Sequence, residues 1–325
     1  MMSVICFSKD RPLQLEAYLE SLMHFGGIKP ECITVLVASS PGITYDRVIA
    51  RRPGINWVYE KEFREDLLEA LRAAENFVLL GCDDVVFKEF FDVNDCIRML
   101  QKDSDVFGFS LRLGANLNFI PRLEENEGIF TWNWRDAQGE YWRYPWEVSA
   151  SVYRRDFLLD HVTSRPDVTN PNRFEAYLAK DIAEGVLDVP PKLACFAESS
   201  CVTVTVNRVQ DEYKNDFDKS KDTSPEALYR DHVNGLQQNW MKLAHWHNGS
   251  VHVGADAFEL VRSVEVPPFE YVAISGAHSR TRARARGLAL KILWWRIMTG
   301  VWEEARRRLP PKAILVIKSM ARHVM

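Results

Sequence analysis

The stretch FVLLGCDDVVF, Phe77 to Phe87, decides the fold. Four apolar residues, Phe77 to Leu80, run through Gly81 and Cys82 into two adjacent carboxylates, Asp83 and Asp84, and apolar residues resume at Val85. A buried strand that stops on paired aspartates sets two like charges side by side, and the raised pKa must be offset by a cation or by water. A divalent metal, which prefers hard oxygen ligands, is one such partner. Plain solvation of two aspartates at a strand end is the other.

Upstream of this stretch the chain alternates between apolar runs and helical periods. Ser3 to Ser8 (SVICFS), Ile33 to Ala38 (ITVLVA) and Ile55 to Tyr59 (INWVY) read as strands. Leu13 to Phe25, Tyr45 to Ala50 and Phe63 to Ala74 read as helices, with apolar residues three and four apart. The first 90 residues are therefore β-α-β-α-β-α-β, and strands that are apolar without alternation predict a parallel sheet covered by helices. Ligands of such sheets bind beyond the carboxyl ends of the strands. Lys9-Asp10-Arg11, Ser39-Ser40, Glu60 and Asp83-Asp84 all follow strand ends and are expected on one rim. This shared rim favours the metal reading of the aspartates.

Beyond residue 90 the pattern changes. A short helix is expected at Val93 to Leu100, strands at Val106 to Leu113, Val148 to Tyr153 and Val202 to Val206, and helices beginning at Arg155, Arg173 and Ser224. One or two strands are expected over Val264 to Ile274. The polar segment Asn116 to Arg143 reads as a loop or irregular hairpin, and with Trp146 it carries Trp132, Trp134 and Trp142. Tryptophans this dense in a polar loop are expected to stack on a ligand, with core filling as the alternative. Arg112, near the end of the expected strand, is a candidate contact for an anionic ligand.

The net charge of −4 hides an asymmetry. Residues 279–325 hold twelve Lys or Arg and two Glu, whereas the preceding 278 residues hold 29 basic and 43 acidic side chains. An acidic body with a basic, Trp-bearing tail points to an anionic surface, membrane or nucleic acid; basic residues confined to the tail favour the membrane. The six cysteines form no C-x-x-C and no zinc spacing, and are expected as free thiols of a reducing cytoplasm. The N-terminus lacks the basic and apolar regions of a signal peptide. No stretch reaches the ~18 apolar residues of a spanning helix. The expected organisation is a domain over 1–278, with a nucleotide-binding half 1–90 and an acceptor half 91–278, followed by a helical tail 279–325.

On these residues the chain resembles nucleotide-sugar glycosyltransferases of the GT-A fold, family 2 in particular. VICFSKDRPLQLEAYLESL looks like that fold's first strand and helix, and FVLLGCDDVVF like the strand that ends in its Asp-x-Asp metal motif. NPNRFEAYLA lies where related enzymes carry a Glu-Asp base pair, and His252 in NGSVHVG lies where several supply a late His to the metal. The resemblance covers roughly residues 3 to 260. It implies a Rossmann-like, mixed and mainly parallel sheet, a nucleotide-sugar donor, and a divalent metal (Mn²⁺ or Mg²⁺) on Asp83, Asp84 and His252. It also implies donor contacts from Asp10, Arg11, Asp83 and Arg112, Glu175 as the catalytic base, and a glycan or lipid-linked acceptor. The chain departs from the family's pattern in three places. Cys82-Asp83-Asp84 leaves the motif's register open: either Cys82 stands at its first position, or the motif is shifted by one. The second strand ends in Ala38-Ser39-Ser40 where an Asp is usual, and Glu175 stands alone where two carboxylates are common. A nucleotidyltransferase also needs a parallel sheet and a carboxylate-held metal, but SKDRP stands after the first strand where a Gly-rich phosphate loop would be expected. A nucleic-acid-binding protein using the basic tail is the non-enzymatic alternative.

Overall fold

The computed structural model describes residues 1–209 and 222–266. In chain order the strands are β1 (Met2–Lys9), β2 (Ile33–Ala38), β3 (Asn56–Tyr59), β4 (Phe77–Cys82), β5 (Val85–Phe87), β6 (Val106–Gly114), β7 (Glu124–Asn126), β8 (Ile129–Asn133), β9 (Ala150–Arg154), β10 (Lys192–Phe196), β11 (Cys201–Val204), β12 (Gln237–Gln238), β13 (His252–Val253) and β14 (Leu260–Val261). The helices are α1 (Pro12–Gly26), α2 (Asp46–Arg51), α3 (Phe63–Ala73), α4 (Val93–Lys102), α5 (Glu140–Arg143), α6 (Arg155–Ser164), α7 (Pro171–Ala183) and α8 (Pro225–Val233). The expected tail, 279–325, and most of the strand region 264–274 lie outside the described residues.

Nine strands form one sheet in the order β3-β2-β1-β4-β9-β6-β10-β8-β7. β1 to β4 are mutually parallel, β9 is inserted antiparallel between β4 and β6, and β10 pairs parallel with β6. β8 and β7 complete the edge as an antiparallel hairpin. Only β9 and β8 oppose the other seven, so the sheet is mixed and mainly parallel, as expected. The chain steps from β1 to β2 and β3 on one side, then returns to place β4 on the other side of β1. That reversal is a topological switch point, where a crevice opens beyond the strand ends. Arg11 follows β1 there, and Asp83 and Asp84 follow β4.

The apolar runs are central because both faces of their strands are covered. Val4, Cys6, Val35, Leu36, Leu79 and Leu80 are all fully buried. α1 begins on Pro12, whose ring suits the first helical turn. It ends at Gly27, which adopts φ 61° in the left-handed region that closes a helix. Gly81 allows the closest packing: a Cβ there would lie 2.0 Å from the hydroxyl oxygen of buried Tyr18 on α1.

A second, three-stranded sheet, β13-β11-β5, brings a late part of the chain to the aspartates. Thr203 of β11 pairs with Val85 on one side and His252 on the other. All six cysteines are free, with Cys6, Cys96, Cys195 and Cys201 buried, as expected for thiols that behave as small hydrophobes. No described helix is long and apolar enough to cross a membrane.

The tryptophan expectation is corrected. Trp132, Trp142 and Trp146 are at most 2% exposed and Trp134 is 8% exposed. Trp132 meets Trp142 edge-on, with ring centroids 4.9 Å apart. The indole N–H of Trp132 donates to the Trp142 carbonyl and that of Trp134 to the Pro190 carbonyl. These rings fill the core beneath a polar surface: Trp132 points inward from β8 and Trp134 and Trp142 from the chain that follows it.

Candidate active site

The two aspartates differ. Asp83 is 4% exposed and accepts from Ser8 Oγ at 2.8 Å, the Lys9 N–H at 3.2 Å and Arg11 Nη1 at 3.1 Å. Burial pushes its carboxyl up, Arg11 opposes that shift, and Asp84 adds to it. Asp84 is partly open to solvent. Its Oδ2 accepts from Arg11 Nη1 at 3.2 Å, and its Oδ1 has no hydrogen-bond partner among the described residues. Arg11 thus bridges both carboxylates, and its Nη2 donates to the Asn207 carbonyl at 2.8 Å. Tyr45 completes this side, with its hydroxyl against Ser8 Oγ at 2.8 Å and accepting the Arg11 N–H at 3.0 Å.

Asp10 sits beside Arg11 but faces elsewhere. Its backbone is left-handed, φ 57°, a conformation Asp tolerates better than most residues. Its oxygens accept from the Ser40 N–H at 2.6 Å and Ser40 Oγ at 2.8 Å. Ser40, beyond the end of β2 where an Asp is usual, therefore ties Asp10 to the rim, while Ser39 Oγ donates to the Ile43 carbonyl. Cys82 turns toward β9, where its thiol donates to the Val148 carbonyl at 3.8 Å. Burial, then the charges of Asp84 and Asp83, push that thiol well up and keep it protonated.

Glu175 lies in the first turns of α7, whose start is capped by the Asn170 side chain. Its Oε2 accepts the Val148 N–H at 3.0 Å and its Oε1 the Tyr144 hydroxyl at 3.2 Å. Burial pushes its carboxyl up to about 7, reinforced by Glu147 and opposed by these donors and Arg112. Glu175 is therefore close to half-ionised at neutral pH, the condition for a general base.

Glu147, which the sequence reading missed, organises the floor. It accepts the Ser149 and Ala150 N–H groups and the Ser151 hydroxyl, and pairs with Arg112 at 3.3 Å. Arg112 is 8% exposed, so the structure places it inside the wall, in an ion pair. His252 contacts Thr205 Oγ1 through Nδ1 at 3.5 Å and packs on the Tyr141 ring. Burial, then the charge of Arg112, push it down to about 4, against Asp84 and Glu147. It is a neutral imidazole at physiological pH.

The structure thus gathers Arg11, Asp83, Asp84, Arg112, Glu175 and His252 at one end of the sheet. A cleft of about 550 Å³ is lined by Gln138, Gly139, Glu140, Arg143 and Tyr144, the last of which reaches Glu175 through its hydroxyl. Among the described residues no three His, Cys, Asp or Glu side chains form a metal-holding group. Asp84, with a free oxygen, and His252, neutral and with no partner on Nε2 among the described residues, nevertheless fit a cation that takes its other ligands from substrate oxygens, as Mg²⁺ commonly does.

No family model matches the chain. The chain is similar to the bifunctional glycosyltransferase pgtA of Dictyostelium discoideum, 26% identical over 268 residues, with 70% of this chain and 35% of that protein covered. It therefore spans about a third of the length of that relative. Solved structures resemble it more distantly. Residues 1–349 of S. aureus TarS align with a TM-score of 0.36 and 16% identity over 54% of this chain and 52% of that one. A cytidylyltransferase of Leptospira borgpetersenii aligns with 0.36 and 11% over 56% and 72%. Likeness at that level is no basis for a function.

Proposed function

We propose that the chain is a metal-assisted glycosyltransferase that moves a sugar from a nucleotide-sugar donor to a hydroxyl of a glycan or lipid-linked acceptor. The observation that carries this is one rim on which a carboxyl titrating near neutrality, Glu175, stands with a half-open carboxylate, Asp84, and a neutral imidazole, His252. The similarity to a protein named as a glycosyltransferase supports it.

In this reading the donor diphosphate lies at the switch point, facing Arg11. Asp84 and His252 would hold a divalent cation (Mn²⁺ or Mg²⁺), which when bound supplies Lewis-acid charge for the departing diphosphate. Asp83 holds Arg11 in place. The acceptor enters by the cleft against Tyr144, and Glu175 takes the proton from its hydroxyl as that oxygen attacks the anomeric carbon. A base in this role belongs to an inverting transfer. Glu147 and Arg112 keep the floor rigid, which preserves the attack geometry. We assign the basic segment 279–325 to an anionic membrane surface on the cytoplasmic side rather than to nucleic acid, since each Lys or Arg near such a surface contributes ~1 kcal/mol.

The test uses the purified full chain with a panel of nucleotide sugars and Mn²⁺. Metal-dependent release of nucleoside diphosphate from one donor is expected. The absence of both turnover and nucleotide binding with every donor overturns the proposal.

A further inference from the structure

Asp84 has two claimants. Arg11 Nη1 already spans Oδ1 of Asp83 and Oδ2 of Asp84, at 3.1 and 3.2 Å. A guanidinium is permanently charged, so the contact holds wherever the two carboxylates are ionised. The Arg11 side chain is only 8% exposed, and its buried Nε–H has no acceptor among the described residues. Its hold on the two carboxylates is therefore its main electrostatic compensation for burial. The same Asp84 is the one carboxylate of the pair with an oxygen that has no hydrogen-bond partner among the described residues, and it is the one whose charge acts on His252. A divalent cation on Asp84 would sit close to the Arg11 charge and share its ligand.

We infer that Arg11 and the divalent cation exchange for Asp84, and that a diphosphate drives the exchange. This rests on the metal reading proposed above. In the ligand-free protein Arg11 offsets one of the pair's two charges and occupies Asp84, so free metal binds weakly. A diphosphate offers the guanidinium fork a second set of anionic oxygens, which it recognises at least as well as a carboxylate. Arg11 moves its Nη1 contact from Asp84 to the diphosphate and keeps Asp83. Asp84 then turns both oxygens to the metal. Metal and diphosphate thus bind cooperatively, and by linkage each raises the affinity of the other equally. An Asp pair with its own resident cation need not carry a divalent ion between turnovers.

The experiment measures Mn²⁺ binding by electron paramagnetic resonance on the full chain, with and without inorganic pyrophosphate at equal free Mn²⁺. It needs no turnover and no knowledge of the donor. Arg11→Gln is expected to bind Mn²⁺ about tenfold more tightly than wild type without pyrophosphate, and to gain less when pyrophosphate is added. Asp84→Asn placed on Arg11→Gln should remove the gain. Equal Mn²⁺ affinity in wild type and Arg11→Gln overturns the exchange and leaves the metal reading standing, whereas no Mn²⁺ binding by any form overturns both. If Arg11→Gln does not fold, Arg11→Lys takes its place. Its single ammonium cannot reproduce the fork, so a smaller tightening is expected, and unchanged affinity again overturns the exchange.

Discussion

Tyr144 donates its hydroxyl hydrogen to Oε1 of Glu175 across 3.2 Å, linking the wall of the open cleft to the carboxylate we assign as base. That hydrogen bond favours the ionised carboxylate and works against burial, which holds the group at about 7. Activity should therefore fall on the acid side of pH 7, where the base is protonated. Tyr144→Phe removes a donor to the charged form and should move the acid limb of kcat/KM upward. Glu175→Gln should lower kcat by about 10²–10⁴ and abolish that limb. A pH–rate profile of the three proteins checks both.

The same carboxyl affects stability with a definite sign. Its folded pKa, about 7, lies above the ordinary 4.5, so the folded state binds the extra proton between those values. Stability falls as pH rises through that window and stays reduced above it. Glu175→Gln should be slower yet more stable than wild type above pH 7, by on the order of 1–3 kcal/mol, in thermal or urea melts.

The two aspartates should separate under mutation. Asp84→Ala should lose activity while keeping the melting temperature close to that of wild type. Asp83→Ala strips Arg11 of its buried partner and should cost about 3–5 kcal/mol of stability. Circular dichroism melts run beside the activity assay distinguish the two.

His252, held near 4, stays neutral through the range in which an ordinary histidine becomes charged. Its share of Mn²⁺ affinity should therefore be unchanged from neutral pH down to about 5. His252→Ala should weaken Mn²⁺ binding by a factor that is also constant over that range. A Mn²⁺ titration at several pH values reads this out.

Gly81→Ala should destabilise the chain by about 1–3 kcal/mol and lower activity as well, because the added methyl would drive β4 off Tyr18 and shift the aspartates that end it. Removing residues 279–325 should release the protein from anionic vesicles in a flotation assay and leave binding to neutral vesicles unchanged.

The half-sheet was legible because its strands are buried on both faces and so read as unbroken apolar runs; β1, β2 and β4 lie within two residues of where the sequence places them. The rim was legible for the same reason, since polar residues directly after such runs share one edge. Pairings between distant segments were not. Nothing local marks Glu147 as the partner of Arg112, or Asn207 as the acceptor of Arg11, because those contacts exist only once the sheet order is known. Arg112 illustrates the difficulty, since an arginine near the end of a strand looks the same in sequence whether it meets a ligand or a buried carboxylate. The tryptophans misled because their polar neighbours, Asn133 and Arg135, are exposed on the same loop whose indoles point inward.

β13 is only two residues long, and through it His252 reaches the sheet that carries Asp84. The nine-stranded sheet does not depend on that strand. The protein can therefore lose its late histidine by a local opening that leaves the scaffold folded, and regain it without refolding. Amide hydrogens of β13 should exchange long before those of β1 or β4.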